Sequence, residues 1–233
     1  MADLVIIITG ANGAIGSAAA SILAQEAKGI VLFGHKADDP EKLRSFAGRA
    51  SHLLTIVGDI TSPEDVRRLV DLTIARFGRM DALINCAGMV PRKRFMEMSH
   101  QEWQTAIESN LMGYALLCRT VLPYMIKSGF GRIVNIATRL AAAPESQTSA
   151  YSSSKAAAHI LMRSLASEIA EQGHRNILVN ELIPGPTRNK RNTQGQDPID
   201  VVPFLRQLIL LPPGGPTGKT YFRGQLYELF GQH

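Results

Sequence analysis

Short uninterrupted aliphatic runs alternate along this chain with longer stretches in which apolar residues recur every three or four positions. The runs at 4–8, 30–33, 53–57, 82–84, 133–136 and 177–183 are rich in β-branched residues. Such runs read as strands buried on both faces, the signature of a parallel sheet. Helical patterns lie between them. Ser62-Pro63-Glu64-Asp65 supplies a capping hydroxyl, a proline at the first helical position and two acids at the positive end of the dipole. Val66, Leu69, Val70, Ile74 and Phe77 follow at helical spacing, and Gly78 is the stop. Ser99 and Glu102 form a capping box that opens a helix through Trp103, Ile107 and Leu111. A further helix runs from Tyr151 to about Gln172, where Gly173 ends it. The alternation predicts an α/β fold, a three-layer sandwich with a doubly wound, mainly parallel sheet and helices on both faces.

No repeat, low-complexity tract or linker interrupts the pattern, so residues 1–233 are expected to form one domain. Segment 184–200, rich in Pro, Gly, Asn, Thr, Gln and basic residues, reads as a mobile loop of the kind that serves as a lid or binding element. The turn-dense stretch 212–216 leads to a last short strand near 220–222.

Composition narrows the class. With 45% hydrophobic and 19% charged residues in 233, the chain is globular. Cys86 and Cys118 sit in apolar stretches without disulfide or metal-ligand spacing, which suits a reducing compartment. The start, Met1-Ala2-Asp3-Leu4, carries no basic n-region, and no apolar run nears the roughly 20 residues a membrane helix needs. A cytoplasmic protein without membrane association is expected. The net charge of +5 would permit nucleic-acid binding, but Lys and Arg are mostly dispersed and form no stripe with aromatics, so a nucleic-acid partner is set aside. Two clusters stand out, Arg92-Lys93-Arg94 and Arg188 with Lys190-Arg191, each after a predicted strand end.

The chemistry starts at the first strand-to-helix turn, Thr9-Gly10-Ala11-Asn12-Gly13-Ala14-Ile15-Gly16. Glycines there let the backbone turn sharply and approach a pyrophosphate lying on the helix N-terminus, the Rossmann-type arrangement. An ordinary glycine-rich turn would look similar. The end of the second strand, where such folds choose between NAD and NADP, reads Gly34-His35-Lys36 with no acid until Asp38. NADP(H) is therefore favoured, with His35 and Lys36 on the 2′-phosphate. The alternative is NAD(H), with Lys36 solvated and Asp38 on the ribose. Tyr151 and Lys155, four apart on one helix face, supply a phenol and an ammonium that would lower its pKa from about 10, the requirement for proton exchange with a carbonyl or alcohol.

These pieces together resemble the short-chain dehydrogenase/reductase family, compact single-domain branch, over nearly the whole chain. They stand in family order: the TGANGAIG turn, Asp59, Asn85-Cys86-Ala87-Gly88, Asn110, Thr138, the YSSSK run from Tyr151 to Lys155, then Pro184-Gly185. The resemblance implies a nicotinamide-dependent oxidoreductase that interconverts a carbonyl compound (ketone, aldehyde or 3-oxoacyl group) and a secondary alcohol. Tyr151 would be the general acid, Lys155 would lower its pKa and bond the nicotinamide ribose, Thr138 would bond the substrate oxygen, and Asn110 would hold a water linking Lys155 to solvent. Gly10, Asn12, Gly13, Ile15 and Gly16 would cradle the cofactor, Asp59 with Ile60 would contact adenine, Asn85 the adenosine ribose, and Ala87, Gly88, Pro184, Gly185 and Thr187 other parts of it. Asp59 and Asn85 have bland readings as turn-shaping residues.

Three positions depart from the family pattern. Ala14 replaces its second glycine, Thr138 its serine and Cys86 an asparagine. Gly10, Gly13 and Gly16 also match the spacing of sugar-nucleotide epimerases, for whose larger substrate domain this chain is too short. The departures motivate a second reading, a cofactor-binding regulator with lost or weak turnover. Basic clusters at strand ends suggest a small-molecule substrate of anionic character, although solvated loop charge explains them equally well. A homodimer or homotetramer through the helices of Asn110 and Tyr151 is the family expectation.

Overall fold

The computed structural model describes residues 1–35, 37–48, 50, 52–189 and 192–231. The aliphatic run at the N-terminus forms β1 (Val5–Thr9), which is buried along its whole length. Its alternate side chains divide between two cores: Ile6 and Ile8 point to one face, Val5 and Ile7 to the other. That two-sided burial explains why the run shows no polar alternation. Around β1 stand β2 (Gly29–His35), β3 (Leu53–Gly58), β4 (Ala82–Asn85), β5 (Gly131–Ile136), β6 (Ile177–Ile183), β7 (Thr220–Phe222) and β8 (Gln225–Tyr227) in one sheet, ordered β3-β2-β1-β4-β5-β6-β7-β8. All pairings are parallel except β7 with β8.

Helices cover both faces, as expected. On one side α1 (Ala14–Leu23), α2 (Pro40–Phe46) and α7 (Val202–Ile209) pack with Ile6, Ile8 and Ile84. On the other, α3 (Pro63–Phe77), α5 (Gly113–Ser128) and α6 (Ser149–Glu171) enclose Val5, Ile7 and Ile133. The local signals act as read. The Ser62 hydroxyl accepts from the Asp65 amide, Gly78 ends α3 in the left-handed conformation, and Ser99 and Glu102 form the complete capping box of α4 (His100–Ile107). Beyond Ile107 the helix does not stop. A π-helical turn, Glu108–Met112, joins α4 to α5, and such turns concentrate at functional sites.

Two features at the C-terminal end were not evident from periodicity. The strand β8 returns from β7 by a two-residue turn, Arg223-Gly224, with φ of +48° and +80°. The described residues of segment 184–200 are tied by main-chain hydrogen bonds, Arg188 N to Gln196 O and Gln196 N to Pro186 O among them. Among the described residues no helix is long and apolar enough to cross a membrane.

One acid lies where the aliphatic pattern offers no warning. Glu181, in the middle of buried β6, meets His159 of α6 and the hydroxyl of Thr220 on β7. The His159 and Glu181 side chains are 3% and 5% exposed, so the pair clamps three elements inside the core. Removing one partner strands the other, which costs about 3–5 kcal/mol. Urea denaturation of Glu181→Ala should therefore show a loss of about 3 kcal/mol, far above that of a surface Glu171→Ala control.

Candidate active site

Strand order reverses between β1 and β4, and ligands of open parallel sheets bind beyond the strand ends at that point. A cavity of about 730 Å³ opens there, lined by Ile15, Cys86, Ala87, Gly88, Asn110, Thr138, Tyr151, Lys155, Pro184, Gly185 and Thr187 among others. The glycines of the first turn suit close backbone packing. A Cβ on Gly10 would stand 2.6 Å from the main chain of Ala87, and one on Gly16 2.3 Å from the Gly10 carbonyl oxygen. Gly10 also holds φ at +61°. At Gly13 only the Gly10 carbonyl oxygen lies within 4 Å of such a Cβ, so the turn stays open where a phosphate would approach. Ala14, the departure from the family pattern, is the first residue of α1.

Lys155 is nearly buried and donates to the Tyr114 hydroxyl and the Ile136 carbonyl, both at 2.9 Å. Burial pulls its pKa down to about 8, while the negative charge of Glu181 works in the opposite direction. Tyr151, 9% exposed, has its phenol pKa raised by burial, and the Thr138 hydroxyl and the charge of Arg92 oppose the rise. The Lys155 ammonium thus bonds Tyr114 and Ile136 rather than Tyr151, and burial is the largest influence on the phenol. Thr138 accepts from the Leu140 amide, which leaves its own proton to donate elsewhere.

Asn110 occupies the π-helical turn. Its amide donates to the Met89 carbonyl and the Ser154 hydroxyl and accepts from the Met89 amide. Asn110 thereby fixes the loop after β4 to α6. Gly88 must be glycine for this, since a Cβ would stand 2.7 Å from the Asn110 amide oxygen.

Other expected contacts fall differently. Asn85 is fully buried and its amide donates to Asn135, so its side chain faces the sheet interior and not the cavity. Its carbonyl accepts from Tyr114. Asp59 accepts from the amide and hydroxyl of Thr61, the turn-shaping arrangement. Ile60 is buried, and a Cβ on Gly113 would stand 2.7 Å from it. The Cys86 thiol lines the cavity, and burial pushes its pKa up to about 12, against the charge of Lys155. It is a neutral group at physiological pH.

At the end of β2, His35 is exposed and its ring nitrogen accepts from the Ala37 amide. Asp38 folds back, accepting from Asn12 and from the His35 amide, both at 2.6 Å. Lys36 lies outside the described residues. Each described member of the two basic clusters meets a carboxylate from outside its cluster. Arg92 pairs with Glu145, Lys93 with Glu102, Arg94 with Glu97 and Arg188 with Asp197. Lys190 and Arg191 lie outside the described residues. Solvated loop charge is the better description of the pairs seen.

Comparison with known proteins fits this geometry. The family model for short chain dehydrogenases matches residues 4–198. The chain belongs to that family. An uncharacterized oxidoreductase from Staphylococcus aureus strain USA300 is 30% identical over 187 residues, covering 79% of this chain and 78% of the relative. Another from Staphylococcus saprophyticus is 32% identical over 188 residues, with 78% of each covered. Among solved structures, levodione reductase superposes with a TM-score of 0.85 at 21% identity, covering 95% of this chain and 96% of that one. NAD+-bound xylitol dehydrogenase gives 0.85 at 24%, covering 94% and 96%. These distant structures share the fold, and the family match makes the protein an NAD(P)-dependent dehydrogenase or reductase.

Sequence reasoning overlooked Tyr114. Its signal was available, because it follows Asn110 by four residues and so shares its helix face. Removing its hydroxyl deprives the ammonium of an acceptor, which disfavours the charged form. If turnover requires the Lys155 ammonium, activity should be full below about pH 8 and fall as pH rises through that value. In Tyr114→Phe the falling limb of kcat/KM should move to lower pH, measured from pH 6 to 10, while His100→Gln leaves it in place.

Proposed function

We propose that the protein reduces a small carbonyl compound to its alcohol, with Tyr151 as the general acid. The observation that carries this reading is the convergence of Tyr151, Thr138 and Lys155 on the cavity that the glycine turn and Pro184-Gly185 also border. Held beside the glycine turn and Pro184-Gly185, a dihydronicotinamide would supply the hydride. Thr138 donates a hydrogen bond to the carbonyl oxygen and sets its position beside the phenol. Tyr151 gives its proton to that oxygen as negative charge develops there, so the C=O double bond becomes C–H and O–H. The ammonium of Lys155, held by Tyr114 and Ile136, lies on the same helix face and stabilises the phenolate that remains. Burial, which raises the phenol pKa, keeps Tyr151 protonated and competent as an acid at neutral pH.

For the cofactor, NADP(H) rests on His35 and Lys36, and NAD(H) on Asp38. The folded-back Asp38 carboxylate, fixed between Asn12 and the end of β2, supports NAD(H). It is an acceptor for ribose hydroxyls and a repulsive neighbour for a 2′-phosphate. His35 is already engaged by the Ala37 amide. Segment 184–200 would act as the substrate loop. A homodimer or homotetramer is supported by Met112 and Ile160, exposed on the helices of Asn110 and Tyr151.

Purified protein should oxidise NADH with a panel of carbonyl compounds, and Tyr151→Phe should lower kcat by about 10²–10⁴. Tight cofactor binding without turnover on any compound would favour the regulator instead. Asp38→Ser should shift preference toward NADPH by about tenfold or more, and unchanged discrimination would return the assignment to NADP(H).

A further inference from the structure

The uncompensated charge beside the cavity lies, among the described residues, outside the basic clusters. Among the described residues, Arg139 and Arg223 pair with no carboxylate, whereas Arg92 on the same rim is tied to Glu145. Arg139 directly follows Thr138 and lines the cavity. Arg223 lies against Gly185, where a Cβ would stand 3.1 Å from its Nε. Both guanidinium groups rest on the ring of Phe222, their Cζ atoms 5.3 Å and 5.5 Å from its centroid. A ring orders a guanidinium without neutralising it. Among the described residues, neither guanidinium donates a hydrogen bond to another side chain or to the main chain, so the N–H donors of both are free for an oxyanion.

The backbone adds an independent sign. Arg223 occupies the first central position of the β7–β8 turn with φ at +48°, a left-handed conformation favoured by Gly, Asn and Asp. A long cationic side chain there goes against local preference, as residues kept for binding often do.

We propose that Arg139 and Arg223 form an anion subsite, so that the substrate is a carbonyl compound carrying an oxyanion, carboxylate or phosphate, beyond its reacting carbon. This rests on the carbonyl-reductase reading and names the substrate class of that same cavity. The two guanidinium groups bind the oxyanion by paired N–H donors while the carbonyl lies toward Thr138 and Tyr151.

The test uses matched probes: 3-oxobutanoate, 4-oxopentanoate and 5-oxohexanoate against their methyl esters, and dihydroxyacetone phosphate against dihydroxyacetone. In the wild type, kcat/KM for the best anion should exceed that of its neutral partner by about tenfold or more, mainly through KM, and the ratio should shrink with added salt. The acids and the phosphate distinguish the two oxyanions. Arg139→Gln and Arg223→Asn should each cut the ratio several-fold, and the double variant should bring it near one. Asparagine suits the turn, so Arg223→Asn should keep or raise Tm and separates charge loss from misfolding.

A wild-type ratio near one, or a ratio unchanged in the double variant, overturns the subsite and leaves the reductase reading standing. Weaker NADH binding in the variants with the ratio intact assigns the arginines to the cofactor and also overturns it. If no probe is turned over, calorimetry with the enzyme–NAD+ complex decides. Binding of an anion that the double variant loses supports the subsite while the activity reading fails, and no binding overturns the subsite.

Discussion

The Lys155 ammonium sits where burial by itself favours the neutral amine, and much of the site is arranged around keeping it charged. Its two hydrogen-bond acceptors come from separate elements, the Ile136 carbonyl at the end of β5 and the Tyr114 hydroxyl on α5. Tyr114 in turn donates to the Asn85 carbonyl at the end of β4. The lysine is therefore tied directly to the end of β5 and, through Tyr114, to the end of β4. Glu181 adds negative charge from β6 and is itself held by His159, one helical turn beyond Lys155. Strands β4, β5 and β6 and helices α5 and α6 all have to be in register before this one charge is tolerable.

The same region shows how backbone contacts set the shape of the cavity. Gly10 and Gly16 allow the first turn to pack against Ala87 and against itself, and Gly88 lets the β4 loop reach Asn110. The π-helical turn carrying Asn110 joins α4 to α5, where a regular helix would carry its residues on a different phase. Asn110 then bonds the loop after β4 on one side and Ser154 of α6 on the other. Tyr151 and Lys155 thus share a rigid helix with Ser154, and their placement relative to the glycine turn is set through side-chain amides as well as the sheet.

Charge around the mouth divides into two kinds. Arg92, Lys93, Arg94 and Arg188 each meet a carboxylate and, being largely solvated, contribute little net field. Arg139 and Arg223 are isolated in sequence, and they are brought together by a shared aromatic ring. Clustering along the chain is thus a poor guide to uncompensated charge, because it says nothing about where the acids fold.

The sequence by itself determined the parallel sheet, the helix caps at Ser62 and Ser99, the glycine turn, and the shared helix of Tyr151 and Lys155. Each of these is local: an unbroken aliphatic run, a capping hydroxyl or a four-residue spacing carries its physical reason within a few residues. What only the tertiary structure decided is how distant groups meet. Asp38 returns to Asn12, Asn85 turns inward to Asn135, Tyr114 takes the Lys155 ammonium, and Glu181 finds His159. The β7–β8 hairpin belongs to the same group, since its Arg223-Gly224 turn lacks the asparagine that would have announced it. Hydrogen bonds and ion pairs between residues tens of positions apart have no periodicity to read. Their partners are chosen by which strand ends the sheet order brings side by side.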